Sequence, residues 1–345
     1  MIRGSGTVQR TGVPDVGGFG GTGGGGGPTP PSTSEPAWQF GIVIRAASGT
    51  TDAVRAAGLD APVVRVEWSI TTAATNLDAI ITACWNVGVR VQPLAGFEAT
   101  HPTQAQAQAL STWSARFGDG GTFWSGKSNP LPIFNIEFGN ENSYSYKANA
   151  GGYGDNSTNY RAWAATYAQR AKDASLALTN GVGLLIQMDD NDGWNWVDGL
   201  YQGVTNLHTY ARGWTVHPYG PSGVAKVSRM SSQAAAKGWG TSVPWYFTEW
   251  GLSTDDGLLI SNDNYGFSRT MTYTQAATQL TASVAEYRSL WGTRLKQFLY
   301  YMVIDGAAHG ANTGVNRESY FGLLKSDGTD KANLADAARV LCVST

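Results

Sequence analysis

Eight short apolar runs, separated by stretches of helical periodicity, constrain the fold more than any other feature of the 345 residues. They are Phe40–Ile44, Val63–Trp68, Arg90–Ala95, Ile133–Gly139, Gly183–Met188, Thr215–His217, Trp245–Glu249 and Gln297–Val303. Short runs that stay mostly apolar are what strands covered on both faces look like. Between them, Tyr160–Leu178 puts Tyr160, Trp163, Ala164, Tyr167 and Ala171 on one helical face, with Ser157 or Thr158 as its cap. Thr272–Trp291 repeats the pattern through Ala276, Leu280, Val284, Tyr287 and Trp291, and a last helix, Asn333–Val340, follows the turn at Asp327-Gly328. Strand and helix alternating in this way predict an α/β protein, a (β/α)8 or TIM barrel over residues 37–345. A doubly wound open sheet is the alternative, but it calls for a nucleotide-binding fingerprint that the sequence lacks.

Barrel enzymes carry their chemistry at the carboxyl ends of the strands. Two of the runs end there on a carboxylate: Ile133-Phe-Asn-Ile-Glu-Phe-Gly-Asn-Glu141 and Pro244-Trp-Tyr-Phe-Thr-Glu249. Cleaving a glycosidic bond needs two such groups, one protonated at the leaving oxygen and one ionised on the other face of the sugar. Either glutamate alone reads as a solvated strand end; the pair, in these contexts, points to catalysis. Glu67, His217, Tyr219 and the Asp189-Asp-Asn-Asp192 cluster occupy strand ends too. Side-chain alternation groups Glu141 with Gly139, Glu137 and Asn135, and Glu249 with Phe247 and Trp245. Glu137 then lies deeper in the barrel, where a carboxylate needs a partner, and Arg65 on the second strand is the expected one. The charge of Glu249 is expected to raise the pKa of Glu141 and keep it protonated.

Composition narrows the remaining classes. A net charge of −2 with 14% charged residues offers no basic field for nucleic acid. No apolar run reaches the roughly 20 residues of a membrane span. No apolar stretch follows Met1-Ile2-Arg3-Gly4, so no signal peptide is read there and localisation stays open, although a surface or extracellular place would suit a glycan substrate. Cys84 shares a helical face with Leu77, Ile80 and Ile81 and reads as a buried thiol; it is too far from Cys342 for a local zinc motif, and a disulfide between them is not favoured. His101, His208 and His309 form no metal-binding spacing, and the Asp189–Asp192 cluster lacks the spaced ligands of a calcium loop, reading instead as a solvated loop that caps a helix from Trp194. No metal or cofactor is expected.

Residues 1–36 hold twelve of the 44 glycines, with Gly23–Gly27 followed by Pro28-Thr-Pro-Pro31. Such a segment cannot bury enough apolar surface to offset chain entropy, and it reads as a flexible tail or tether to an unknown partner. It lacks the Gly-Lys-Ser/Thr ending of a phosphate loop.

From about Trp38 to Val340 the chain resembles the retaining glycoside hydrolases of clan A. The resemblance rests on Ile136-Glu-Phe-Gly-Asn-Glu141, Val216-His-Pro-Tyr219, Phe247-Thr-Glu-Trp-Gly251 and Phe321-Gly-Leu-Leu-Lys-Ser-Asp-Gly328, in order and at matching strand positions. It implies Glu141 as acid/base, Glu249 as nucleophile and Asn140 as the residue holding the sugar 2-hydroxyl. It further implies that His217 and Tyr219 line the site and orient the nucleophile, with Arg65 beside it. The eighth strand departs from the pattern, reading Tyr300-Tyr-Met-Val-Ile-Asp305 where many members carry a tryptophan, and Asn142 replaces a frequent proline. The family within the clan is therefore not assigned. The expected reaction is double displacement on a β-linked oligo- or polysaccharide, with Trp250 and Trp68 as stacking platforms, ahead of Trp124, Trp194 and Trp196. The long segments Asn142–Asn156, Leu252–Met271 and Gly306–Tyr320 suit the walls of a cleft. Two other readings compete. A non-catalytic sugar-binding barrel tethered by its tail would not need both carboxylates, and an aldolase-type barrel would need a lysine that the strand bodies lack, apart from Lys296 bordering the eighth.

Overall fold

The computed structural model describes residues 34–97, 100–143, 158–188, 196–220, 222–259, 268–306 and 317–344. Eight parallel strands close into one barrel in sequence order: β1 (Gln39–Ile44), β2 (Val63–Ser69), β3 (Arg90–Gly96), β4 (Asn135–Phe138), β5 (Gly183–Gln187), β6 (Gly213–Val216), β7 (Trp245–Trp250) and β8 (Leu295–Tyr300). Closure is made by β1 on β8, with Gln39 opposite Gln297 and Ile42 opposite Tyr300. Every one of the eight apolar runs contributes a strand. Only the ends differ: β6 begins at Gly213, and β8 stops at Tyr300, three residues before its apolar run does.

Helices pack the outside. Tyr273–Trp291 opens with a capping box, in which Thr272 accepts from the Gln275 amide and the Gln275 side chain accepts from Thr272 N–H. Its face of Ala276, Leu280, Val284, Tyr287 and Trp291 is buried, as the spacing predicts. Thr158–Ala177 buries Tyr160, Ala164, Tyr167 and Ala171. There the Tyr167 hydroxyl donates to Phe138 O at 2.7 Å and accepts from Gln187 N at 2.9 Å. That one hydroxyl ties the ends of β4 and β5 together, just where the chain turns toward Glu141. Cys84 and Cys342 are buried and not joined by a disulfide, and burial pushes both thiols up to about 12.

Alternation along the strands divides the molecule into two environments. Val64, Val66 and Trp68 of β2 face outward into the large apolar layer under the helices. Val63 belongs instead to a small apolar cluster with Val43, Leu299, Met302 and Phe321. Beside Leu94 and Leu185, which lie in register with Glu137, many inward positions are polar: Gln39, Arg65, Gln92, Asn135, Glu137, Gln187, Thr215 and Gln297 are all buried. Room is tight at Gly41, where a Cβ would stand 2.4 Å from Val63 O. The barrel's contacts begin earlier than residue 37, because Glu35 Oε1 accepts from Asn135 Nδ2 and from the Tyr246 hydroxyl, each at 2.7 Å. These partners are the first residue of β4 and the second of β7, so the carboxylate bridges two non-adjacent strands at the barrel floor. Residues 1–33 of the predicted tail, the Asp189–Asp192 cluster, Trp194 and His309 lie outside the described residues.

Candidate active site

A polar network at the carboxyl ends of the strands is centred on Arg65, whose inward orientation on β2 buries it to 1% exposure. Its Nε donates to Glu137 Oε2 at 2.5 Å, its Nη1 to Glu249 Oε1 at 2.5 Å and its Nη2 to Asn140 Oδ1 at 3.1 Å. One planar guanidinium thus fixes residues from β4, from β7 and from the turn after β4. The pairing of Arg65 with Glu137, expected from alternation alone, is present. Thr248 Oγ1 adds a hydrogen bond to Glu137 Oε1 at 2.7 Å.

His217 follows β6 and reaches all three glutamates. Its Nδ1 lies 3.0 Å from Glu141 Oε1 and 3.5 Å from Glu249 Oε2, and its Nε2 lies 3.7 Å from Glu137 Oε1. The Tyr219 hydroxyl donates to Glu249 Oε2 at 3.0 Å. Lys226 holds the main chain at this point, its Nζ donating to the backbone carbonyl of His217 at 3.1 Å. Glu249 is therefore held on both oxygens, with its side chain 12% exposed, while the Glu141 side chain is 32% exposed at the mouth.

How each glutamate reaches the mouth differs from simple alternation. On β7 it is Tyr246 and Thr248 that face inward, not Trp245 and Phe247, which are buried in the outer layer. Phe247 pairs with Phe298 but Trp250 pairs with Tyr300, so β7 carries one extra residue there. This bulge turns Glu249 back into the barrel. On β4 the strand ends at Phe138, and Gly139 (φ 78°) and Glu141 (φ 45°) adopt left-handed backbone conformations. Glycine takes such a conformation freely; for Glu141 it costs energy, of order 1–3 kcal/mol, that the surroundings must offset. Gln187 at the end of β5 does part of this, its Oε1 accepting the Asn142 N–H at 2.7 Å.

The electrostatics follow from the network. Burial alone would raise the Glu137 pKa, but Arg65, His217 and Thr248 outweigh it and bring it to about 2. Burial disfavours charge on His217, but Glu249, Glu137 and Glu141 outweigh that and raise it to about 10. For Glu141 burial again acts upward, yet the hydrogen bond and charge of His217, with Lys226 and Arg65 behind, leave it below the ordinary carboxylate range. The expectation that Glu249 would raise Glu141 is thereby corrected: the cationic imidazole 3.0 Å from Glu141 lowers it instead. Burial and the Glu249 charge push the Tyr219 phenol well above its ordinary value, so it stays a donor.

Of the predicted site residues, Glu141, Glu249, Asn140, Arg65, His217 and Tyr219 converge here. Trp68 and Trp250 do not. Trp68 is 8% exposed and packs edge-on against Trp113, and Trp250 is 3% exposed against Phe298 and Tyr300. Both point away from the barrel axis into the apolar layer, because they follow an inward neighbour in their strands. Trp196 is likewise buried, packing on Tyr160 and Tyr167 of the Thr158–Ala177 helix and donating to Gln187 O at 3.0 Å. Thr248, Gln187 and Lys226 were missed from the sequence. The phase of β7, set by Tyr246 rather than Trp245, would have marked Thr248. Among the described residues, Glu141, His217 and Glu249 offer ligand atoms within 4.8 Å of one another, the geometry of a metal site. The Arg65 guanidinium against Glu249 places a positive charge where a metal cation would bind, and so opposes one.

No protein-family model and no curated protein matches the chain in sequence. Solved structures do match it in fold. An exo-β-1,4-mannosidase from an Opitutaceae bacterium superposes with a TM-score of 0.55 at 15% identity, over 89% of this chain and 60% of its own. A Faecalibacterium prausnitzii β-glucuronidase gives 0.52 at 12%, over 90% and 50%. A β-glycosidase gives 0.54 at 11%, over 91% of this chain and 98% of its own. The chain thus spans about half to three-fifths of the first two and nearly all of the third. At these identities the likeness establishes a shared barrel fold.

Proposed function

We propose that this protein is a retaining glycoside hydrolase acting on β-linked oligo- or polysaccharide. The observation that carries the proposal is the placement of Glu141 and Glu249 at the ends of β4 and β7, a carboxylate oxygen of each lying, with a His217 nitrogen, within 4.8 Å of one another. Retaining enzymes hold their two carboxyl groups about 5–5.5 Å apart, whereas inverting ones need roughly 6.5–9.5 Å to admit a water. The neighbours in fold, by name a mannosidase, a glucuronidase and a β-glycosidase, support glycoside hydrolysis.

Glu249 suits the nucleophile. It is clamped by Arg65 and Tyr219, and so is aimed at one point in the mouth. Glu141, the more exposed of the two, suits the acid/base that must meet the leaving group and then water. In the free protein the proton for the first step resides on His217, 3.0 Å from Glu141 Oε1. A bound sugar excludes water, which favours a neutral carboxylic acid beside a neutral imidazole over an ion pair. The proton then moves from Nδ1 to Oε1 and on to the departing oxygen as Glu249 attacks the anomeric carbon. In the second step Glu141 takes a proton from water, which displaces Glu249 with net retention. Asn140, which Arg65 holds, is the residue assigned to the 2-hydroxyl.

The test is a pair of variants on an aryl β-glycoside chosen by a substrate screen. Glu141→Ala should give a burst of aryl alcohol and stall at the glycosyl-enzyme; Glu249→Ala should give none. Near wild-type turnover in both would remove these residues from the mechanism. A wild-type protein that binds glycans without cleaving any would favour a sugar-binding barrel.

A further inference from the structure

We propose that Trp163, backed by His101, is a positioning residue for Glu141: its indole N–H fixes Asn142 and, through it, the strained turn that carries the acid/base carboxyl group. The inference rests on the glycosidase reading and deepens it, naming what aims the proton donor of that site.

Strain at the turn calls for an anchor. Glu141 sits in a left-handed conformation (φ 45°) that is kept only if the residues around it are held. The next residue is Asn142, 0% exposed, and it is held at three points. Its N–H donates to Gln187 Oε1 at 2.7 Å, its side-chain amide donates to Phe97 O at 3.1 Å, and its carbonyl accepts from Trp163 Nε1 at 3.3 Å. These partners belong to β5, to the residue after β3 and to the Thr158–Ala177 helix, so the turn is tied to three separate elements. Proline at this position could make only the last of these bonds, since it has neither an N–H nor a side-chain amide.

Trp163 can serve as an anchor because it is itself held. The His101 ring lies against its indole, with centroids 3.9 Å apart at 37°, and His101 Nε2 donates to Trp163 O at 2.8 Å. A carbonyl only accepts, which places the imidazole proton on Nε2. Burial, with Arg170 nearby, lowers the His101 pKa to about 4, so the ring is neutral near pH 7. Phe97 meets His101 edge-on at 6.2 Å and Phe138 at 4.9 Å, which closes the stack onto the end of β4. Helix, stack and strand end form one packed unit beside the turn.

A shift of Asn142 would move the Glu141 carboxyl group and leave Glu249 where Arg65 and Tyr219 hold it. A general acid must lie within hydrogen-bonding reach of the departing oxygen, and a misplacement of about 1 Å can cost about 10²-fold. That cost falls only on leaving groups that need a proton.

The experiment measures kcat/KM, which reports the first displacement, on two aryl β-glycosides of one sugar chosen by the substrate screen. A dinitrophenyl leaving group departs without a proton, whereas a phenyl one depends on the acid. Trp163→Phe, which keeps a ring but loses the N–H, should lose about tenfold on the phenyl substrate and less than about twofold on the dinitrophenyl one. His101→Phe keeps a ring against Trp163 and loses the bond to its carbonyl; it should show the same split at about threefold. Melting temperatures check both folds, and His101→Phe carries the test if Trp163→Phe does not fold. Equal losses on the two substrates, as a general loss of structure would give, or no loss on either would overturn the proposal. A wild-type protein for which the screen finds no cleaved glycoside would instead refute the glycosidase reading, and this proposal with it.

Discussion

Replacing Glu137 by Gln tests whether the ion pair beneath the site is structural as well as positional. Glu137 is fully buried and held by Arg65 at 2.5 Å and Thr248 at 2.7 Å. Its pKa falls from 4.5 to about 2, a difference of about 2.5 units. At 1.36 kcal/mol per unit this is about 3 kcal/mol of stability, near the lower end of the 3–5 kcal/mol typical for breaking a buried pair. The lower end is reasonable, because Arg65 keeps Glu249 and the Gln amide keeps an oxygen for Thr248. With an unfolding entropy of about 2.1 cal/mol/K per residue, the melting temperature should drop by about 5 °C at pH 7. The sign of the pH dependence is determined: the folded pKa lies below the unfolded one, so the contribution is present above about 4.5 and is lost as pH falls toward about 2. Calorimetric melts at pH 7, 4.5 and 3 should therefore show the gap between wild type and variant closing with acid. Glu67→Gln, exposed at the mouth, serves as control and should shift by no more than about 1 °C. A Glu137→Gln protein within that margin of wild type at pH 7, or a gap independent of pH, would refute the reasoning.

On the alkaline side the sign reverses. His217 is raised to about 10, so its contribution is complete below about 6.5 and disappears as pH rises to about 10. Wild-type melts should decline across that window and those of His217→Gln should not; parallel curves would show that the imidazolium is not what the three carboxylates hold. Gly41→Ala should lower stability by about 1–3 kcal/mol, because the new methyl would stand 2.4 Å from Val63 O inside the barrel, whereas Gly58→Ala, with open space around it, should stay within about 0.5 kcal/mol. Equal melting temperatures for the two alanine variants would mean that the barrel interior is looser than the strand spacing indicates.

Much of the architecture was legible because its signals are local. Eight buried strands must be apolar over short lengths, and their covering helices must show one apolar face, so the period of the chain is enough to read the barrel. The two glutamates were legible for the same reason: strand ends are visible in sequence, and topology places strand ends at the active mouth. The buried pair of Arg65 and Glu137 followed from alternation and the cost of an unpaired charge.

What sequence could not decide were the points where one residue changes the phase. The extra residue in β7 turns Glu249 inward and sends Phe247 and Trp250 outward, against strict alternation. Whether a strand bulges depends on how its neighbour β8 pairs with it, which no single strand records. The same holds for Trp68 and Trp250, whose indoles could have lined the cleft or filled the outer layer until the strand phases were known. Glu35 appeared to belong to a structureless tail because its partners, Asn135 and Tyr246, are remote in sequence. The Glu141 pKa depended on a histidine two strands away in the barrel. Periodicity determined the fold and the candidate acids; the orientation and charge state of those acids were decided by groups that only barrel closure brings within a few ångströms.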